Sequence, residues 1–149
     1  MNRPHSIELF EKSYLASIAV STIALALGWS TISSRLEGDL GGASASAGST
    51  IIIGSIVVGY VVSLLLWFLI ARRASNVAKW ILVVLTAIGL FGTLTTLFVP
   101  SEPKDLNFAL NALATAIGVY AAWLLFRPDA VAWLESRGAS GPADPTTFD

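Results

Sequence analysis

The sequence predicts an all-α membrane protein: a four-transmembrane-helix, up-down-up-down bundle with short cytoplasmic amphipathic segments at both ends. Three observations carry that prediction. Four long stretches, approximately 14–32, 51–71, 77–99 and 108–126, are apolar, with Lys79 near the start of the third the one charged residue in any of them. Each has about 19 residues or more, enough at roughly 1.5 Å per helical residue to cross a hydrocarbon core of about 30 Å. Composition agrees, because a 149-residue chain that is 54% hydrophobic and 13% charged leaves little material for a soluble domain beside the spans. The links after the second and third stretches are short, about six and eight residues, which makes successive helices antiparallel neighbours. Helices are favoured because a segment in lipid must satisfy its own backbone N–H and C=O groups.

The first stretch, 14–32, reads as a retained span and not a signal peptide. Glu8 and Glu11 offset Arg3 and Lys12, and the A-x-A pattern of Ala43, Ala45 and Ala47 lies behind a polar run instead of directly behind a short apolar core. The segment 33–50 that follows ends in GDLGGASASAGST, whose Gly, Ala and Ser content predicts a mobile loop outside the membrane. The second and third spans are joined across 71–76, and the third and fourth across a link containing Pro100 and Pro103. Residues 1–137 form a single transmembrane domain, and 138–149, with Pro142 and Pro145 and no apolar pattern, form a disordered cytoplasmic tail.

Positively charged residues in short loops favour the cytoplasmic side. Arg3, Lys12, Arg72, Arg73, Lys79, Arg127 and Arg137 fall on the side shared by both termini, against Arg35 and Lys104 on the other. Both termini are therefore expected in the cytoplasm. Trp29, Trp67, Trp80, Trp123 and Trp133 sit near the ends of apolar segments, where an amphipathic ring suits the headgroup region as an interface anchor.

Small and hydroxyl-bearing residues recur on one face of each span. The first has Ser17, Ser21, Ala24 and Gly28, the second Ser55, Gly59 and Ser63, the third Thr86, Gly89, Thr93 and Thr96, and the fourth Asn111, Thr115, Gly118 and Ala122. Such faces let helices approach closely in lipid, so they predict a helix-packing seam. On that reading, Gly59→Leu drives the second helix off its neighbour. The other reading has the same groups lining a polar path or small cavity, with Tyr60 and Tyr120 adding hydroxyls.

Several function classes are excluded by what the chain lacks. There is no Cys, and the one histidine, His5, precedes the first span, so no thiol chemistry, haem ligation or metal cluster is expected. A net charge of −1 with scattered basic residues offers nothing to nucleic acid. The intramembrane hydroxyls have no basic partner, and Glu37, Asp39, Glu102 and Asp105 have no ligand spacing, so neither catalysis nor a cofactor is expected.

The two cytoplasmic ends share a pattern. Arg3-Pro4-His5-Ser6-Ile7-Glu8-Leu9-Phe10-Glu11 aligns without gaps on Arg127-Pro128-Asp129-Ala130-Val131-Ala132-Trp133-Leu134-Glu135. Each has Pro where a first helical turn accepts it and an apolar side at helical spacing, which predicts two interfacial anchoring or partner-docking helices. The opening RPHSIELFEKSYLAS, leading into a span that ends at Trp29, resembles the start of small uncharacterised four-span bacterial inner-membrane proteins. That resemblance implies a bacterial inner membrane and brings no catalytic or binding residue with it. The function expected is therefore non-catalytic: an accessory or assembly subunit, or a homo-oligomer, acting through helix contacts with the bilayer and a membrane-protein partner or itself. The alternative is a small oligomeric transporter or channel for a small solute.

Overall fold

The computed structural model describes residues 4–40, 42–99 and 104–136. Every regular element among them is helical: α1 (His5–Leu40), α2 (Gly42–Arg73), α3 (Asn76–Phe98), α4 (Leu106–Leu124) and the short α5 (Pro128–Glu135). The first four are long and apolar enough to cross a membrane. Residues 1–3, 100–103 and 137–149, and with them Arg3, Pro100, Glu102, Pro103, Arg137 and the expected tail, lie outside the described residues.

Helix ends differ from the apolar boundaries because hydropathy marks where lipid suits the chain, not where backbone bonding stops. At 36 residues, α1 is about 54 Å long and exceeds a hydrocarbon core of about 30 Å. Its first turns carry Glu8, Leu9, Glu11 and Lys12, all good helix formers, with Glu8 placed favourably at the positive end of the helix dipole. The loop expected over 33–50 is corrected: 33–40 and 42–50 are helical. Alanine, which adds little packing drive, is also the best helix former, and three alanines punctuate the stretch after residue 42.

The 71–76 link is likewise shorter than expected, with only Ala74 and Ser75 outside helix. Ala74 adopts the left-handed φ of 48°, and the Ser75 N–H donates back to the Leu69 carbonyl at 3.1 Å, which closes the end of α2. The Ser75 hydroxyl then accepts from the Ala78 N–H at 3.3 Å, capping α3. One residue thus closes α2 and opens α3. At the start of α4, Asp105 plays the capping part, accepting from the Phe108 N–H at 3.0 Å. Beyond Leu124, bonds from Leu125 N–H to the Ala122 carbonyl and from Phe126 N–H to the Trp123 carbonyl swing the chain into α5, with Pro128 in its first turn.

Of all the helix pairs, α1 and α4 share the longest contact; α1 with α2, α3 with α4, and α2 with α3 also touch. Contacts run in opposite order along neighbours: Glu11 pairs with Arg72 at 3.6 Å and Thr22 meets Tyr60 at 2.7 Å. The core is concentrated at one end of the molecule, where Ile7, Phe10, Leu66, Ile70, Leu82, Leu124, Leu125, Trp133 and Leu134 cluster. Within α3 the buried residues are Ala78, Lys79 and Leu82, all beside the Ala74–Ser75 link. Those of α2, Leu66, Ile70 and Ala71, lie beside the same link. The two helices therefore pack only near their connection and leave a wedge beyond it. Their outward faces are apolar and open, as at Ile51, Phe91 and Phe98, a surface that requires lipid or a partner to cover it.

The two aligned terminal segments meet each other. The Ser6 N–H and hydroxyl donate to the Asp129 carboxylate at 3.2 and 2.8 Å. Pro4 offers its carbonyl to the Ile7 and Glu8 amides, so Asp129 supplies from α5 an acceptor for an amide at the start of α1 that its own helix leaves free. Ile7 and Phe10 are wholly buried, as is Ala130, and Trp133 and Leu134 nearly so. The apolar sides expected to face a membrane surface or a partner instead cover one another and the helix ends.

Candidate functional site

Away from that core, the small and hydroxyl residues of the spans surround two adjoining chambers. The first, about 440 Å³, is reached by all four long helices: Tyr14, Ser17 and Ser21 of α1, Gly59, Tyr60 and Ser63 of α2, Leu82, Leu85, Thr86 and Gly89 of α3, and Ala114, Thr115 and Gly118 of α4. Ile18, Leu25, Ile56 and Leu66 make much of the remaining wall apolar. The second, about 510 Å³, lies between α1, α3 and α4 and is more polar, with Thr31, Arg35, Thr93, Thr96, Asp105, Asn107 and Asn111 around it. Gly28, Gly89, Gly92 and Thr115 complete much of that lining. Gly89 and Thr115 border both chambers, which therefore adjoin at that level.

Of the residues expected in a packing seam, Ser17, Ser21, Gly28, Gly59, Ser63, Thr86, Gly89, Thr93, Thr96, Asn111, Thr115 and Gly118 border a chamber. Ala24 and Ala122 are buried between helices, and Ser55 is exposed with its hydroxyl on the Ile52 carbonyl at 2.8 Å. A methyl group added at Gly59, Gly89 or Gly118 would meet nothing within 4 Å, whereas at Gly28 it would strike the Asn107 amide. Among these glycines only Gly28 meets a neighbouring helix where a side chain would begin, and at Gly59, where close approach was expected, the first side-chain atom has open space. The physical reason is leverage: bulky residues at the core end set the spacing, and the small residues beyond them do not fill it.

Several hydroxyls at and beside the chambers donate back to carbonyls of their own helices. Ser17 donates to the Tyr14 carbonyl at 2.7 Å and Thr22 to the Ile18 carbonyl at 2.8 Å. Having used its hydrogen, Thr22 accepts from the Tyr60 hydroxyl at 2.7 Å. At the junction, Thr93 and Thr115 bond the Gly89 and Asn111 carbonyls at 3.0 and 2.9 Å and stand 3.1 Å from each other. The Asn111 amide nitrogen donates to the Asn107 carbonyl at 2.9 Å and to its side-chain oxygen at 3.2 Å. A hydroxyl has one hydrogen and two lone pairs, so these walls chiefly offer acceptor oxygens to whatever enters.

The tryptophans occupy dissimilar places. Trp80 and Trp123 are exposed, Trp80 edge-on to Phe126 at 5.9 Å and Trp123 stacked on Tyr120 at 6.0 Å. Trp29 and Trp67 are half-buried, and the Trp67 indole N–H has no hydrogen-bond partner among the described residues. Trp133 is 8% exposed, within the core cluster. Tyr120 borders neither chamber described here, whereas Tyr14, which the face pattern omits, does.

Lys79, expected on the cytoplasmic side, has a burial that sequence reasoning missed: it is 5% exposed, with its ammonium 4.2 Å above the Phe126 ring. The signal was its position inside the third apolar stretch, and the pairing is a cation–π contact that keeps a charge tolerable at low exposure. Outside the spans, some burial raises the Asp129 carboxyl pKa, but the hydrogen bonds from Ser6 and from the backbone N–H groups of Asp129 and Ala130 outweigh it and hold it below the ordinary carboxylate value. Among the described residues no group of His, Asp or Glu is clustered as metal ligands. Comparison with protein-family models, curated proteins and solved structures gives no match for this chain.

Proposed function

We propose that this chain is a non-catalytic, multi-pass protein of a bacterial inner membrane, an up-down-up-down bundle with both termini in the cytoplasm, which holds a small solute in its intramembrane chambers as a small transporter. The observation that carries the reading is the pair of adjoining chambers bordered by hydroxyl and glycine positions. Volumes of about 440 and 510 Å³ fall within the range of small-ligand sites, roughly 300–1,000 Å³. The basic residues beside the core end support the orientation, and on this reading the polar chamber faces outward. Uncharged lining in the apolar chamber favours an uncharged solute, and the proton is an unsuitable driver there because Tyr14 and Tyr60 are its only titratable neighbours.

Proteoliposomes test this directly. Stopped-flow shrinkage with glycerol and erythritol should show solute flux above that of empty liposomes, with no dependence on a pH gradient, and Gly118→Leu should return the flux to the empty rate. Absence of flux under all conditions would sink the transporter reading.

The wedge between α2 and α3 favours a second reading, in which a helix of a partner or of another copy covers it and the protein acts as an accessory or assembly subunit or a homo-oligomer. Recovery of a defined larger complex from native membranes, together with absence of flux, supports that role.

A further inference from the structure

The two chambers differ in chemistry and adjoin at Gly89 and Thr115, and the wedge beside them is open. We infer that they bind a single-chain neutral amphiphile, with a hydroxyl-bearing head in the polar chamber and a medium-length acyl chain in the apolar one. The inference rests on the reading of the chambers as a ligand site, and adds the ligand's chemical class.

Three features lead to it. The apolar chamber has Ile18, Leu25, Ile56, Leu82 and Leu85 in its wall, and hydrocarbon against such surface is favoured while a fully polar solute gives up hydration there. The polar chamber gathers hydroxyls and amides whose hydrogens are already directed elsewhere: Thr93 onto the Gly89 carbonyl, Thr96 onto the Gly92 carbonyl and Asn111 onto Asn107. These three offer oxygen lone pairs, while the Asn107 amide and the Arg35 guanidinium at the same chamber are donors, which suits a head that both donates and accepts hydrogen bonds, as an alcohol does without charge. Arg35 and Asp105 stand at this chamber with opposite signs, so neither an anionic nor a cationic head has a net electrostatic advantage.

Access is the third feature. Because α2 and α3 pack only beside Ala74 and Ser75, the apolar chamber opens between Gly59 of α2 and Leu85 and Gly89 of α3, positions that are themselves exposed. An acyl chain can pass from a bilayer through that wedge without crossing water. Gly89 is where head and chain regions join, since it borders both chambers and a side chain built there meets no atom within 4 Å.

The test is equilibrium binding of tritiated 1-decanoylglycerol, and separately of tritiated decane, to the full chain in nanodiscs, with empty nanodiscs subtracted. Saturable binding of the decanoylglycerol at one molecule per chain, at least tenfold tighter than decane, is the expected result. Gly89→Leu should weaken the decanoylglycerol tenfold or more while thermal unfolding stays at or above the parent value. Asn111→Leu should weaken the decanoylglycerol several-fold and leave decane unchanged, a split that misfolding cannot produce. Equal affinity for both probes, or unchanged decanoylglycerol binding in Gly89→Leu, overturns the inference. Polyol flux with no saturable decanoylglycerol binding overturns the ligand class and leaves the transporter reading standing; loss of both removes the site altogether.

Discussion

Around Phe10, helix ends meet through large side chains; around Gly59, the same helices present glycines and hydroxyls and stand apart. The core end holds Ile7, Phe10, Ile70, Leu82, Leu124 and Leu125 at 1% exposure or less, whereas Gly59, Gly89 and Gly118 have open space where a side chain would begin. If the four helices cross a membrane, as their length and apolarity allow, there is no hydrophobic drive between them to close a gap, and association depends on packing and hydrogen bonds. Small residues permit close approach but do not compel it. At Gly28, the Asn107 amide reaches into the space a side chain would take, and there the approach is realised; at Gly59, Gly89 and Gly118 the bulk at the core end props the helices apart and the small residues border a void.

The sharpest way to break this contrast is to empty the packed end. Phe10→Ala should cost about 3–5 kcal/mol, as buried Phe truncations do, while Leu85→Ala, at a chamber wall 46% exposed, should cost far less. Reversible unfolding in mixed micelles compares the two, and similar losses would abolish the distinction between the halves.

A finer comparison fills space in place of emptying it. Gly28→Leu meets Asn107 and should lose about 1–3 kcal/mol to overpacking. Gly59→Leu meets nothing and should be neutral or gain up to about 1 kcal/mol, since it fills a void and raises helix propensity. Thermal unfolding of both variants decides; a large loss at Gly59 would restore the close-packed seam.

The clasp between Ser6 and Asp129 contributes less. Asp129→Ala removes an acceptor from the first turn of α1 and should cost about 1 kcal/mol. Because the folded carboxyl has a lowered pKa, its contribution is full above the ordinary carboxylate range and is lost as pH falls through the lowered value. Acid titration of stability should therefore show a downward limb in the parent that is shallower in Asp129→Ala, and identical limbs would show that the clasp carries no proton linkage.

The smallest effect is expected at the hinge of the packed end. Ala74→Gly relieves the φ 48° backbone but removes a methyl that is 4% exposed. The first effect is about 1–2 kcal/mol and the second about 0.8 kcal/mol, leaving a net gain of under about 1 kcal/mol. A loss in the same unfolding assay would mean that the buried methyl matters more than the strain.

These contrasts also explain what the sequence revealed. The four apolar stretches were legible because hydropathy over about 19 residues is a strong, additive signal. The extension of α1 to Leu40 and the start of α2 at Gly42 were not, since Gly, Ser and Ala are compatible with either loop or helix until neighbours decide. The chamber residues could be named from their periodicity, yet whether Ser17, Gly59 and Gly118 touch or face a void depends on spacing set elsewhere, by Phe10 and Leu125. Ser6 and Asp129 lie 123 positions apart, and no local pattern announces a pairing over that separation.

That separation has a consequence for how the chain is made. A ribosome adding about 5–20 residues per second needs roughly 6–25 s to produce the 123 positions between Ser6 and its partner. Throughout that interval the start of α1 exists without Asp129, and Ile7 and Phe10 lack the cover that α5 gives them. A chain that stalls or is cut before α5 carries these groups uncovered at its first turns. The closing of α1 by α5 is thus a mark that synthesis has passed Leu134, legible to any chaperone or protease that samples exposed apolar residues.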